Sequence, residues 1–414
     1  MKAYRKWIAV LLAGVLALLA GGTNLNTLAT PFMSLRLGPD FLATNRDTVT
    51  DGTEEELLPG AVWCDTDGNP IQAHGGQVQW MPVPDGSGGT TGQYVWVGEN
   101  KSGGHTGNPA AVYTSDDLYH WTFRGNVLRP VESREQLDSD PYFSALYAGC
   151  TAEEKDGIFR CISTSSVIER PKMLYNASTG QYVIWFHSDG PTEQNAYSYD
   201  VGMAGVAVSD SPFGPFRFLG RQRLSLCPSD QIDCYPTSRG EARDMNLFQD
   251  VDGTAYIVYT SENNKTLYIS RLNDSYTALA VDPEQAVYGR DYIRLFPGAM
   301  REAPVLVRSE AGRYYLMSSS TTGWMSNQAR VWSADSIFGE WRNDGNPCQG
   351  QGAAVTFDSQ STCLFRTREG QWIYYGDRWN GGNLADSRYV WLPAAFEDGR
   401  LVIRWASAWT PGTK

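Results

Sequence analysis

Histidine is scarce in this chain: four in 414 residues, well separated, with neither a CxxC nor an HExxH spacing anywhere. The usual patterns of a zinc site are therefore missing. Positive charge is thin as well. Lys and Arg number 34 against 46 Asp and Glu, the net charge is −12, and no basic run of five residues occurs. Nucleic acid needs a basic face, so that partner class is set aside. Long apolar runs are absent with one exception, the fourteen residues Trp7 to Ala20, preceded by Lys2, Arg5 and Lys6 and followed by Gly21-Gly22. A spanning helix needs roughly 20 apolar residues. A charged start and a short apolar core read instead as a secretory signal peptide over 1–22. An uncleaved anchor is the competing reading, and no cysteine follows the run to carry a lipid. The expectation is a secreted or extracytoplasmic protein with no stable membrane contact after signal cleavage.

Export permits disulfides. The seven cysteines suggest three local staples, Cys150–Cys161, Cys227–Cys234 and Cys348–Cys363, with Cys64 left over; sequence alone does not fix such pairings. Residues 23–60 are polar and weakly patterned and read as a linker.

Glycine (42) and aromatic residues (12 %) are plentiful, and extended helical patterns are few, as expected of many short strands and turns. The stretch RDMNLFQDVDGTAYIVYTSENNKTLYISRL, Arg243 to Leu272, shows the unit. A polar residue leads a short strand, Asp252-Gly253 turns it, an aromatic and β-branched strand returns, and Asn263-Asn264 turns again into a third. Copies of this unit start near 74, 170, 243, 301 and 360, with a third strand legible at 111–121, 205–216 and 330–341. Units of three or four strands that cannot bury their own faces stack radially, which predicts an all-β, five-bladed β-propeller over 61–414. Tandem β-sandwiches would not place a polar-led strand first in every copy. Insertions at 128–167 and 222–241 are expected to shape the mouth of the pocket.

Innermost strands point their first residues at the axis, which assembles His74, Glu169 with Arg170, Asp244, Glu302 and Gln360, joined by Glu99 from a second strand. Converging carboxylates raise at least one pKa among themselves. Glycoside hydrolysis uses that arrangement, a protonated acid for the leaving oxygen and a group that serves water or attacks carbon. Trp96, Trp185, Trp324, Trp379 and Tyr389 could stack on sugar faces. Asp250 and Asp252 belong to a turn, and His187 reads as a satisfied strand histidine.

The set AHGG (73–76), YVWVGE (94–99), ERPK (169–172), RDM (243–245), REAP (301–304), SQST (359–362) and GDRW (376–379) resembles glycoside hydrolase family 43, and within it the exo-β-1,3-galactanase branch, over about residues 60–410. The resemblance implies a five-bladed propeller and an inverting mechanism. It makes Glu302 the general acid and Asp244 the group that tunes and orients it. Glu169, Glu99, Asn263, Asn264, Thr322, Trp324 and Asp377 would contact the terminal sugar. Most members begin blade one with an aspartate base; here His74-Gly75 stands in its place, and Gln360 would hold or activate the water. No cofactor is expected. Family members often carry a calcium near the axis, but no ligand set in this sequence reads as one. The implied partner is a polysaccharide or oligosaccharide, the β-1,3-galactan backbone of plant cell-wall arabinogalactan, acted on by a monomer. An α-L-arabinofuranosidase or galactofuranosidase, or a non-catalytic sugar-binding propeller, are the alternatives. Intact Glu302 and Asp244 argue against the last.

Overall fold

The computed structural model describes residues 44–192, 199, 201–236 and 238–412. The apolar run 7–20 and residues 23–43 of the linker lie outside them. The described residues build five sheets in chain order, antiparallel throughout except for the parallel pairing of the short first strand of the fifth with its last. Blade one holds β1 (His74–Pro84), β2 (Thr90–Glu99), β3 (Ala110–Ser115) and β4 (Thr122–Leu128). Blade two holds β5 (Val167–Asn176), β6 (Gln181–Asp189), β7 (Met203–Ser209) and β8 (Arg217–Gln222). Blade three holds β9 (Met245–Gln249), β10 (Ala255–Ser261), β11 (Thr266–Arg271) and β12 (Tyr292–Leu295). Blade four holds β13 (Arg301–Arg308), β14 (Tyr314–Ser320), β15 (Arg330–Ala334) and β16 (Arg342–Gly345). Blade five holds β17 (Cys348–Gln349), β18 (Gln360–Arg366), β19 (Trp372–Arg378), β20 (Arg388–Glu397) and β21 (Arg400–Arg404), in the spatial order β17-β21-β20-β19-β18. The inner strands β1, β5, β9, β13 and β18 touch in a closed ring. This is a five-bladed β-propeller.

Alternating strands are apolar on both faces, so each sheet must bury both against neighbours. The result is five cores, one at each seam. Val97, Val112 and Ile184 fill the seam of blades one and two; Trp185, Ile257 and Tyr259 that of two and three; Val258, Ile269 and Leu316 that of three and four; Val305, Leu364 and Leu392 that of four and five. The fifth seam, between blades five and one, is aromatic: Trp63, Trp96, Trp121, Tyr375, Tyr389 and Trp391 pack together, with Trp96 and Trp391 at 4.9 Å between ring centres.

The second half of the presumed linker is stitched onto that seam. Leu57 pairs with Trp409 in an antiparallel bridge, Val49 with Val62 in a parallel one, and Leu57 is buried in the aromatic core. The insertion after β4 folds as α1 (Gln136–Ser139), α2 (Pro141–Leu146) and α3 (Ala152–Ile162). Asp140 caps α2, and a Thr151/Glu154 capping box starts α3. Leu137, Phe143, Tyr147 and Ile162 wedge into the first seam, so this insertion buttresses two blades and lends the pocket no residue. Among the described residues no helix is long and apolar enough to cross a membrane.

Of the three expected disulfides only Cys227–Cys234 forms; Cys64, Cys150, Cys161, Cys348 and Cys363 are free thiols. The other two pairings fail on distance. Cys150 precedes the N-cap of α3 and Cys161 is its penultimate residue, which separates them by roughly 15 Å of helix rise. Cys348 on β17 and Cys363 on β18 lie at opposite edges of blade five, four strand spacings or roughly 19 Å apart. A disulfide spans Cα atoms no more than about 7 Å apart.

Candidate active site

Four of the five inner strands break their pairing register next to their first residues: after His74, Glu169, Glu302 and Ser361. At three of these bulges the following residue is left-handed, Gly75 at φ +58°, Arg170 at +51° and Ala303 at +52°. A bulge kinks the strand and re-aims the side chain before it; Glu169 and Glu302 enter the cavity this way, whereas His74, expected at the axis, is buried against Asp377 and stacks on Tyr389. Gly75 has a second reason to be glycine, since a Cβ there would lie 3.0 Å from Glu99 Oε1 and 3.1 Å from Arg170 Cγ.

Around the axis these strand starts enclose a cavity of about 290 Å³, lined by acids Glu99, Glu169, Asp244 and Glu302, by Arg170, His187 and Arg243, by Gln360 and Asn264, and by the rings of Trp324 and Trp379. Each acid has a different environment. Glu302 is desolvated and faces the Asp244 carboxylate, which together push its carboxyl up to about 8. Asp244 accepts the Ala303 N–H at 2.9 Å and faces Arg170 Nε at 3.6 Å. Burial alone would raise Glu169, yet the His187 hydrogen bond and the Lys101 charge bring it down to about 2. His187 stands between Glu169 Oε2 at 2.9 Å and Asp189 Oδ2 at 3.0 Å; burial disfavours its charge, but these two acceptors hold it protonated up to about 9. Glu99 is paired with buried Lys101 at 2.5 Å and accepts the Arg170 N–H at 2.9 Å.

Gln360 donates through Nε2 to Glu302 Oε1 and to Ser319 Oγ, both at 3.1 Å, while its Oε1 accepts Trp379 Nε1–H at 2.9 Å. The amide thus has a fixed orientation beside the acid. Lys172 of β5 lies buried, its ammonium donating to the carbonyls of Gly75 and Arg170. Among the described residues no group of three or more His, Cys, Asp or Glu side chains is arranged to hold a metal ion.

The structure brings together Glu302, Asp244, Gln360, Glu99, Glu169, Asn264 and Trp324 from the sequence-based set. It leaves out three. Asp377 is buried behind the pocket, where its two oxygens take the Gly75 N–H at 2.7 Å and His74 Nδ1 at 3.1 Å, tying blade five to blade one. Thr322 stays within its own loop, donating to Met325 O at 2.6 Å and accepting from Asn327 at 2.7 Å. Asn263 points outward from a turn in which Glu262, Asn263 and Asn264 are all left-handed. Of the five aromatic candidates, only Trp324 and Trp379 reach the cavity, edge to face at 5.1 Å. Trp96, Trp185 and Tyr389 are seam core instead, because mid-strand side chains face the neighbouring blade. His187 is both satisfied and in the pocket. Lys101, two residues beyond Glu99, and Arg243 went unassigned in the sequence; a buried lysine beside a strand-end acid is a signal that could have flagged the first.

Protonating a glycosidic oxygen at neutral pH requires a carboxyl that still holds its proton there, and burial beside a second acid supplies one. Fold and site together define a glycoside hydrolase of the propeller type. The sequence model of "Glycosyl hydrolases family 43" matches residues 90–386, and the chain belongs to that family. Among solved structures, a family 43 β-1,3-galactosidase with galactodeoxynojirimycin is 33 % identical at a TM-score of 0.68, covering 86 % of this chain and 100 % of its own. An exo-β-1,3-galactanase from Phanerochaete chrysosporium with galactose is 30 % identical at 0.63, with 85 % and 67 % covered. An exo-β-1,3-galactanase from Clostridium thermocellum is 29 % identical at 0.64, with 86 % and 66 % covered. No curated protein matches the chain.

Proposed function

We propose that the protein is an exo-acting, inverting β-1,3-galactosidase that removes terminal galactose from β-1,3-galactan. The observation that carries the acid chemistry is Glu302, buried against Asp244 with its carboxyl raised to about 8. In this reading Glu302 protonates the leaving oxygen. Asp244 keeps that proton in place by its charge, and Arg170 and the Ala303 N–H hold Asp244. Glu99, Glu169 and Asn264 present oxygens to the hydroxyls of the sugar, and Trp324 and Trp379 offer ring faces to its apolar side. A cavity of about 290 Å³ lies at the small end of ligand pockets, which suits a chain end rather than a chain passing through. The names of the three related structures support galactose as that end.

Gln360 is assigned to hold the water. Its Oε1 gives one lone pair to Trp379 and keeps a second for a water O–H. Its Nε2 lies 3.1 Å from the acid, far closer than the roughly 6.5–9.5 Å between acid and base in inverting enzymes. That favours an amide that orients water over one that takes its proton. Export fits the same picture: a cell-wall polysaccharide lies outside the cell, the run 7–20 serves as the signal, and the Cys227–Cys234 bridge suits an oxidising compartment.

Incubation with linear β-1,3-galactan tests the proposal. Galactose as the sole early product, seen first as the α-anomer by proton NMR, is expected. Release of arabinose from arabinan with no action on galactan would replace it with the arabinofuranosidase reading, and binding without turnover would make the protein a sugar-binding propeller.

A further inference from the structure

Among the described residues, three cationic side chains at the pocket have acidic partners. Lys101 is paired with Glu99, His187 with Glu169 and Asp189, and Arg170 with Asp244. Arg243 also lines the cavity, but its buried Nε has no hydrogen-bond partner and no acid pairs with its guanidinium among the described residues. Leaving a buried charged donor unmatched is costly. The backbone nevertheless makes room for it. Gly202 is left-handed at φ +50°, and a Cβ there would come within 3.3 Å of Arg243 Nε. The Gly202 carbonyl accepts the Ala242 N–H at 2.8 Å, fixing the two segments side by side. The charges on this flank are mixed: burial lowers the pKa of Arg223, where Glu241 and Asp189 oppose the effect of Arg221 and Arg239. In a chain of net charge −12, a guanidinium at a sugar pocket that no acid pairs with among the described residues stands out from its neighbours.

We propose that Arg243 is a recognition site for a sugar carboxylate, that of a hexuronic acid, at the blade-two side of the glycosidase pocket. A guanidinium presents parallel N–H donors that match a carboxylate's two oxygens, so it meets this ligand better than any neutral hydroxyl pair. The acids already in the cavity do not repel it, because three are matched by cations and Glu302 holds its proton. The carboxylate can belong to the sugar ring inside the pocket or to a hexuronosyl branch on the galactan. The inference rests on the pocket being a glycosidase site, not on galactose being the natural chain end.

Two measurements test it. Calorimetric titration compares galacturonate with galactose as ligands. Kinetics compare a neutral β-1,3-galacto-oligosaccharide with the same oligosaccharide bearing a 1,6-linked hexuronosyl residue. The expected result is a preference of about tenfold for the acidic member of at least one pair at low ionic strength, fading as salt rises. The titration arm reports a carboxylate on the ring and the kinetic arm one on a branch. In Arg243→Gln the acidic-to-neutral ratio should fall to about one, and Arg243→Lys should retain part of it. No preference in either arm of the wild type overturns the proposal. So does a proportional loss on acidic and neutral ligands in Arg243→Gln, which would make the residue a general structural or sugar contact. Should Arg243→Gln fail to fold, the wild-type ratios and Arg243→Lys decide. Absence of turnover on galactan with galacturonate still preferred in titration would sink the galactanase reading and leave this one standing.

Discussion

Two carboxyls meet on the pocket floor, and each depends on the other. Glu302 keeps its proton because it is buried and because Asp244 is negative beside it. Replacing Glu302 by glutamine preserves size and hydrogen bonding to Gln360 but removes the proton, and should lower turnover of galactan by about 10²–10⁴-fold. An aryl galactoside, whose leaving group needs little protonation, should lose much less, and equal losses on both substrates would remove the acid role. The acid works only while protonated, so activity should fall as pH rises through about 8. Asp244→Asn takes away the negative neighbour, lowers the Glu302 pKa and should move this alkaline limb to lower pH; a profile of unchanged shape would reduce Asp244 to a structural tie. Gln360→Ala should depress turnover of galactan and aryl galactoside alike, since either needs water. Retention of normal rates on both would send the search for the water's holder elsewhere in the cavity. These residues were readable because the repeat register places each within one residue of the start of an inner strand. Asp377 and Asn263 were not. Whether an acid two residues before Trp379 faces the pocket or the back of β1 depends on tertiary pairing, and neighbouring asparagines in a left-handed turn point in different directions.

At the scale of elements, the loop closed by Cys227–Cys234 matters more for the pocket than its length suggests. Arg294 of β12 donates to Asp233 Oδ1 at 2.8 Å and Gln231 Oε1 at 2.9 Å in that loop, and to Glu262 through Nε at 2.6 Å and Nη2 at 2.8 Å. Glu262 also accepts the Tyr235 N–H at 3.1 Å. Two residues on is Asn264, which lines the cavity. The loop, the arginine and the turn form one relay into the site. Opening the bridge with the double variant Cys227→Ser/Cys234→Ser should therefore raise KM several-fold and lower stability by about 2 kcal/mol or less. A fall in melting temperature with KM unchanged would break the relay. Thiol titration of the denatured, unreduced protein should count five, the seven cysteines less the bridged pair. Spacing along the chain proposed three bridges because it measures only how near residues are in sequence. The rise of α3 and the width of blade five set the distances, and neither is visible before the elements are assigned.

For the whole molecule, the decisive fact is that each of the five cores lies between blades and none within one. No blade can keep its fold after losing a neighbour, so the ring should unfold in one step. Trp391, fully buried in the seam of blades five and one, makes the test. Trp391→Ala should cost about 3–5 kcal/mol and lower the melting temperature of the entire propeller in a single transition seen equally by near-ultraviolet dichroism and by loss of activity. Separate transitions for the two probes would show that the seams melt independently. The blade count was legible because each copy carries its own turn pairs, DG or its equivalent, between strands. The stitching of 44–60 was not, since Val49 and Leu57 find their partners in Val62 and Trp409, the latter more than three hundred residues away, and no local pattern announces such contacts.

That stitching brings the two extremities of the described chain side by side: Asn45 donates to Ser407 O at 2.6 Å, and Leu57 exchanges backbone hydrogen bonds with Trp409. A ring whose ends already touch has no privileged point of opening. A gene reordered to begin in the connection between β16 and β17, with a short flexible splice joining 412 to 44, encodes the same five seams in a different sequence of synthesis, and the order in which the ribosome delivers the blades becomes a matter of history.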